Sequence, residues 1–151
     1  MKVLIGVDTS EHAETTLEFV RKMAWPPNTK FVVASAVQLP FVAFSETYGP
    51  VAVDTGVWLD ELTKLHKEAV SRGARTLAAS GLLSSERILQ GDPRAALVEE
   101  AMHDQADLLV VGSHGRSGLE RLAIGSVATH VVTHAPCSVI VVRRGARGKQ
   151  V

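Results

Sequence analysis

Short unbroken apolar runs alternate along the chain with longer stretches in which apolar residues recur every three or four positions. Lys2 to Val7 (KVLIGV) is nearly all apolar and gives way to Asp8-Thr9-Ser10, as when a strand buried on both faces hands over to a helix. Thr9 or Ser10 would cap that helix, and Ala13, Leu17, Val20 and Ala24 carry its inner face until Pro26-Pro27 ends the pattern. Lys30 to Val37 (KFVVASAV) reads as a second buried strand closed by Pro40. Residues 40 to 53 carry scattered aromatics and two prolines without a period, which fits either a variable surface connection or a partial cover over a pocket.

Trp58, Leu62, Leu65 and Ala69 repeat the helical spacing, with Lys64, Glu68 and Arg72 four apart on the opposite, solvated side. Glu86 to Gln90 reads as a third strand; Gly91-Asp92-Pro93 then places a cap before a proline at the first helical position, and Leu97, Val98, Ala101 and Met102 point this third helix inward. Leu108 to Val111 is the fourth strand, Leu119 to about His134 the fourth helix, and Ser138 to Arg143 (SVIVVR) the fifth strand. Strands linked by helices of this length run parallel with right-handed crossovers, giving a single α/β domain. Such sheets bind ligands at the carboxyl ends of strands where strand order reverses, here beyond Val7, Val37 and Val111.

Bulk properties narrow the partners. Lys plus Arg and Asp plus Glu both number 16, so no net field draws the chain to nucleic acid or to an anionic membrane. Apolar runs are about half the ~20 residues of a membrane span, and the N-terminus enters a strand rather than a signal peptide, so a cytoplasmic location is expected. The single cysteine, Cys137, forms no internal disulfide and reads as a small buried residue at a strand start.

The chemistry concentrates after the fourth strand, in Gly112-Ser113-His114-Gly115-Arg116-Ser117-Gly118, with Gly125-Ser126-Val127 following where a helix segment begins. Glycines let backbone approach a ligand, successive N–H groups can face phosphate oxygens, and a helix dipole favours negative charge. Arg116 adds forked donors and His114 a donor of adjustable protonation. No Walker-type phosphate loop is present, and no Gly-x-Gly-x-x-Gly follows the first strand. Ser113 and Ser126 lack an evident base with an orienting third group, so no catalytic residue is assigned. His130 and His134 stand four apart without a third metal ligand and read as surface or interface residues; His12, His66 and His103 read as ordinary helix residues.

Taken together, Gly112, Gly115, Gly125 and Ser126 (glycine, two residues, glycine, nine residues, glycine, serine), Asp8 after the opening strand, Gly91-Asp92-Pro93 and the closing Ala135 to Val142 resemble the ATP-binding branch of the universal stress protein family. The resemblance covers about residues 2 to 143, leaving 144–151 as a polar tail. It implies a Rossmann-like open sheet of order 3-2-1-4-5 with helices on both faces, and ATP, ADP or AMP as ligand with Mg2+ or Mn2+. It places Asp8 by the ribose, phosphates and divalent ion, with Val7, Thr9 and Ser10 beside it; Ala36 and Val37 by adenine, read through backbone; Val111 and Gly112 by the nucleoside. Gly115 and Arg116, with His114, would meet the phosphates, and Gly125, Ser126 and Val127 their far side. Relatives often carry His where Ala36 stands. The family's dimers imply a homodimer through Ser138 to Arg143, acting as a nucleotide-dependent regulatory switch for an unidentified protein partner. A slow ATP hydrolase or phosphotransferase and a dimeric interaction module without nucleotide are the competing readings. The intact glycine array disfavours the module, and the lack of a base or phosphate-site lysine disfavours the enzyme.

Overall fold

A computed structural model describes residues 1–10, 12–38, 55–114 and 124–143. In order these form β1 (Lys2–Gly6), α1 (His12–Lys22), β2 (Lys30–Val37), α2 (Thr55–Ala78), β3 (Ser84–Gln90), α3 (Pro93–His103), β4 (Leu108–Gly112), α4 (Ser126–His134) and β5 (Ser138–Val142). Every strand pair is parallel, in the order β3-β2-β1-β4-β5. The three inner strands are apolar on both faces because helices cover both. Val3, Ile5, Phe31 and Val33 pack on one side with Leu17 and Val20 of α1 and Val70 and Leu77 of α2. Leu4, Val32, Ala34 and Leu109 pack on the other with Leu97 and Ala101 of α3 and Ala128 and Val131 of α4. Alternation along each strand thus feeds two cores from one sheet.

The edges differ. In β3, Ser85, Glu86 and Arg87 are exposed, with Glu86 accepting from Ser71 Oγ at 2.7 Å and Arg87 paired to Glu100 at 3.3 Å. In β5, Val139, Ile140 and Val141 are half-buried against the cores.

Several expectations change. Ala69 is buried as expected, but Trp58 and Leu65 are half exposed, and Ala69 shares the inner face of α2 with His66, Val70, Gly73 and Leu77. The regular spacing of Trp58 and Leu65 therefore marks an adjoining stripe of the helix and not its buried one. Met102, expected inward, is 62% exposed, because α3 seats Leu97 and Ala101 on the sheet and turns Met102 away. The fourth helix begins at Ser126: Gly125 is extended (φ −61°, ψ 158°), and its N–H is drawn to Ser113 O at 2.7 Å. The part expected from Leu119 to Ala123 lies outside the described residues, as do the 40–53 connection and the tail 144–151.

Two local features fix the helix entries that matter for the cleft. Gly6 lets α3 sit close on β1, since a Cβ there would lie 3.0 Å from Leu97 Cδ1 and 3.1 Å from Val111 Cγ1. Asp92 caps α3 as expected, accepting from Arg94 N at 2.9 Å, with Pro93 opening the helix. The Arg94 side chain also grips the carboxylate, and this bond, with the Arg94 backbone N–H, holds the Asp92 carboxyl down to about 2.

Replacing Gly6 with Ala should destabilise the fold by about 1–3 kcal/mol in denaturant melts, because both neighbours are themselves packed. Equal stability would show that Leu97 yields without cost. Because the folded Asp92 carboxyl binds its proton more weakly than the unfolded one, its contribution is complete above the ordinary carboxylate value of 3.8 and is lost as pH falls toward about 2. Asp92→Asn, which keeps a capping oxygen, should therefore lose less stability than the parent chain across that acid range; parallel acid-unfolding curves would contradict the assignment.

Candidate functional site

The path of the chain reverses at β1. From β1 it moves outward through β2 to β3, then crosses to β4 on the other side, so the segments leaving β1 and β4 diverge at their carboxyl ends. A cleft of about 470 Å³ opens there. Its floor is Gly6, Val7, Val111 and Gly112; its walls come from Ala13 and Thr16 of α1, Leu62 and His66 of α2, Pro93 and Leu97 of α3, and the start of α4. That size and a largely apolar wall with a few polar groups at one end suit a small organic ligand with an anionic or hydroxylic part.

The polar end is built from turns. Asp8 lines the cleft, and its Oδ1 accepts from the Ser10 backbone N–H at 3.0 Å and from the Ser10 hydroxyl. This Asx-type turn bends the chain from β1 toward α1. Across the cleft Ser113 N–H donates to Val142 O at 2.7 Å, and Ser113 O accepts from Gly125, tying the exit of β4 to both β5 and the N-terminus of α4. Gly112 makes the passage over α1 feasible, since a Cβ there would meet Thr16 Oγ1 at 3.1 Å and His114 O at 3.4 Å. His114 Nδ1 lies 3.0 Å from Ser113 Oγ, and the His12 and His114 rings are 6.3 Å apart between centroids.

Of the residues named from sequence, Val7, Asp8, Ala36, Val111, Gly112, His114, Gly125, Ser126 and Val127 all line this one cleft. Val37, Thr9 and Ser10 do not. Val37 faces away, packed to 1% exposure, because alternation along β2 sends its neighbour Ala36 to the cleft side. Ser10 acts on the site through Asp8. Gly115 and Arg116 lie outside the described residues. Asp8 presents a hard carboxylate oxygen, the donor type that a phosphate-bound Mg2+ or Mn2+ accepts. Among the described residues, Glu100, His103 and Asp104 bring ligand atoms within 4.8 Å of one another on and just after α3, but none of them lines the cleft.

Sequence reasoning missed His12, Thr16, Gln38, Leu62, His66 and Leu97 as lining residues. Thr16 sits on the inner face of α1, one position before Leu17, and a polar residue in that place was the available signal. His66, taken as an ordinary helix histidine, is only 5% exposed and bonded to Ser35 at 2.7 Å. Two buried polar atoms at the cleft, Thr16 Oγ1 and His114 Nε2, have no hydrogen-bond partner among the described residues. Ser113, next to His114, also lines the cleft and is 3% exposed.

Among the described residues no helix is long and apolar enough to cross a membrane. A parallel doubly wound sheet with a glycine-lined cleft at its order reversal defines a Rossmann-like α/β protein. The profile of the universal stress protein family matches residues 1–143, and the chain belongs to that family. A putative universal stress protein of Staphylococcus aureus is 27% identical over 143 residues, spanning 93% of this chain and 82% of its own length. The universal stress protein UspA of Lactobacillus plantarum is 27% identical with a TM-score of 0.77, covering 95% of this chain and 97% of that one. A universal stress protein solved in complex with cAMP is 25% identical with a TM-score of 0.64, covering 94% and 95%.

The unpaired Thr16 hydroxyl makes a direct prediction. Thr16→Val preserves the shape and removes a buried oxygen without a partner, so it should raise the unfolding free energy by about 1 kcal/mol. A loss of stability on the same scale would mean that the hydroxyl is bonded in solution.

Proposed function

We propose that the cleft at the β1/β4 reversal binds an adenine nucleotide, and that nucleotide occupancy sets the state of a dimeric regulatory protein. The observation that carries this reading is the convergence of nine sequence-named residues on one cavity of about 470 Å³, Gly112, Gly125 and Ser126 of the glycine motif among them. In this reading the base lies toward Ala36, Leu62 and Leu97, and the sugar between Asp8, Val111 and Gly112. The phosphates meet the Gly125–Ser126 helix start, His114, Gly115 and Arg116. A Mg2+ or Mn2+ ion held by Asp8 and phosphate oxygens would supply charge neutralisation there. The cAMP complex of a relative supports an adenine ligand in general; ATP, ADP and AMP are the candidates for this chain.

The dimer is assigned to β5, the edge strand that carries no charged residue between Ser138 and Val142. Its apolar side chains are also packed on the cores, so a charge placed at Ile140 or Val141 would perturb the fold together with any contact.

Nucleotide extraction from the purified protein and calorimetric titration with ATP test the reading. Gly125→Glu should lower ATP affinity by about 100-fold or more at unchanged circular dichroism, because a carboxylate would occupy the phosphate end of the cleft. Undiminished affinity would sink the assignment. Light scattering should give about twice the 16.1 kDa of one chain; a monomer mass would remove the dimer from the proposal while leaving the nucleotide reading standing.

A further inference from the structure

The cleft contains a buried polar chain that neither the glycine motif nor the Asp8 turn explains. Ser35 on β2, 1% exposed, donates its hydroxyl to the carbonyl of Val7 at 2.7 Å, and the same oxygen lies 2.7 Å from His66 Nδ1 on α2. The hydrogens along this chain are determined by counting. A serine hydroxyl carries one proton, and the Val7 carbonyl can only accept, so that proton goes to Val7. His66 Nδ1 must then be protonated and donate to Ser35 Oγ; with a bare Nδ1, two lone pairs would face each other at 2.7 Å. Val7, the residue just after β1, is also held by the neighbouring strand's backbone, its N–H donating to Ala34 O at 2.9 Å. The next residue is Asp8, which lines the cleft, and so does the His66 ring.

We propose that His66 and Ser35 are a positioning pair: His66, held on α2, sets the Ser35 hydroxyl, which fixes the Val7 carbonyl and thereby the direction in which Asp8 leaves the sheet toward the ligand. This rests on the nucleotide reading for its functional consequence, but its structural content stands on the two bonds alone. The pair ties α2 to the tip of the central strand. A displacement of α2 would therefore reach Asp8 through two hydrogen bonds, without passing through the glycine motif.

The test uses the full chain. Nitrogen-15 spectra of the imidazoles should show His66 protonated at Nδ1, and a bare Nδ1 overturns the proposal. His66→Leu and Ser35→Ala should each move the backbone amide resonances of Val7 and Asp8, and His66→Asn, whose amide can donate from the Nδ1 position, should return them toward the parent values. ATP affinity should fall about tenfold or more in His66→Leu and in Ser35→Ala, stay within about threefold of the parent in His66→Asn, and fall no further in the double variant. Melting temperatures taken alongside separate this from a purely structural bond: a lower melting temperature with unmoved Val7 and Asp8 amides, or with unchanged affinity, overturns the proposal. If His66→Leu fails to fold, Ser35→Ala carries the same measurements. A parent chain that binds no ATP would refute the nucleotide reading, and the tautomer and the two amides would still decide the pair.

Discussion

Everything at the cleft depends on β1 being hydrogen-bonded on both sides. The strand pairs β2 through Lys2 to Gly6 and β4 through Val3 to Gly6, so its backbone direction is fixed from two sides up to the point where the neighbours separate. A strand constrained this way cannot relax into the space beyond its end. Once the chain on one side turns back over α1 and on the other passes through Gly112, a concavity must remain, and its depth is set by how closely α1 and α3 approach. The glycines serve that approach: Gly6 admits Leu97, and Gly112 clears Thr16. The cavity is thus a by-product of sheet topology, sharpened by two missing side chains.

The polar groups around it divide into two kinds. Ser35 and His66 are buried and joined to each other and to Val7, the arrangement that stabilises and rigidifies. Thr16 Oγ1 and His114 Nε2 are buried without a partner among the described residues, at a cost of about 1–3 kcal/mol for each such group. A fold that tolerates such groups beside a cleft retains stability that could be recovered by substitution, and among the described cleft residues both lie on the β4 and α1 side. The α2 side is tightly satisfied. One wall of the cleft is therefore held firmly while the opposite wall carries unmet bonding capacity.

Much of this could be read from the residues in order. The buried strands declared themselves as largely apolar runs, and β2 was located to the residue, because Lys30 opens it and Gln38 and Pro40 follow its last residue, Val37. The cap at Asp92 and the proline after it were equally plain. What failed was the choice of face on a long helix. In α2 two adjoining stripes both carry helical spacing, and only packing against β2 and β3 decides that His66, Gly73 and Leu77 go inward and Trp58 and Leu65 outward. The same ambiguity hid His66 as a cleft residue, since a histidine among charged neighbours looks solvated until its partner on another element is known. The start of α4 differs from the expected one for a related reason: Ile124 continues the apolar pattern, yet Ile124 and Gly125 are not helical, and the Gly125 N–H bonds Ser113 O on another element. Of the residues that line the cleft, Val7, Ala36 and Val111 at strand ends and Gly112, Gly125 and Ser126 were named from sequence, whereas Thr16, Leu62, His66 and Leu97, reaching in from helix faces, were not, because a helix residue's direction depends on tertiary docking.

The unequal edges of the sheet bear on how copies of this chain can meet. At β3 an incoming strand would confront the exposed Glu86 and Arg87, already engaged with Ser71 and Glu100, and would have to strip them of water and partners. At β5 no such barrier exists along Ser138–Val142. Joining the unlike edges β3 and β5 would repeat without end and build a filament; joining β5 to β5 uses each copy's open edge once and stops. The charges on β3 thus oppose strand addition at that edge, so the proposed β5 pairing would leave no second edge for further growth.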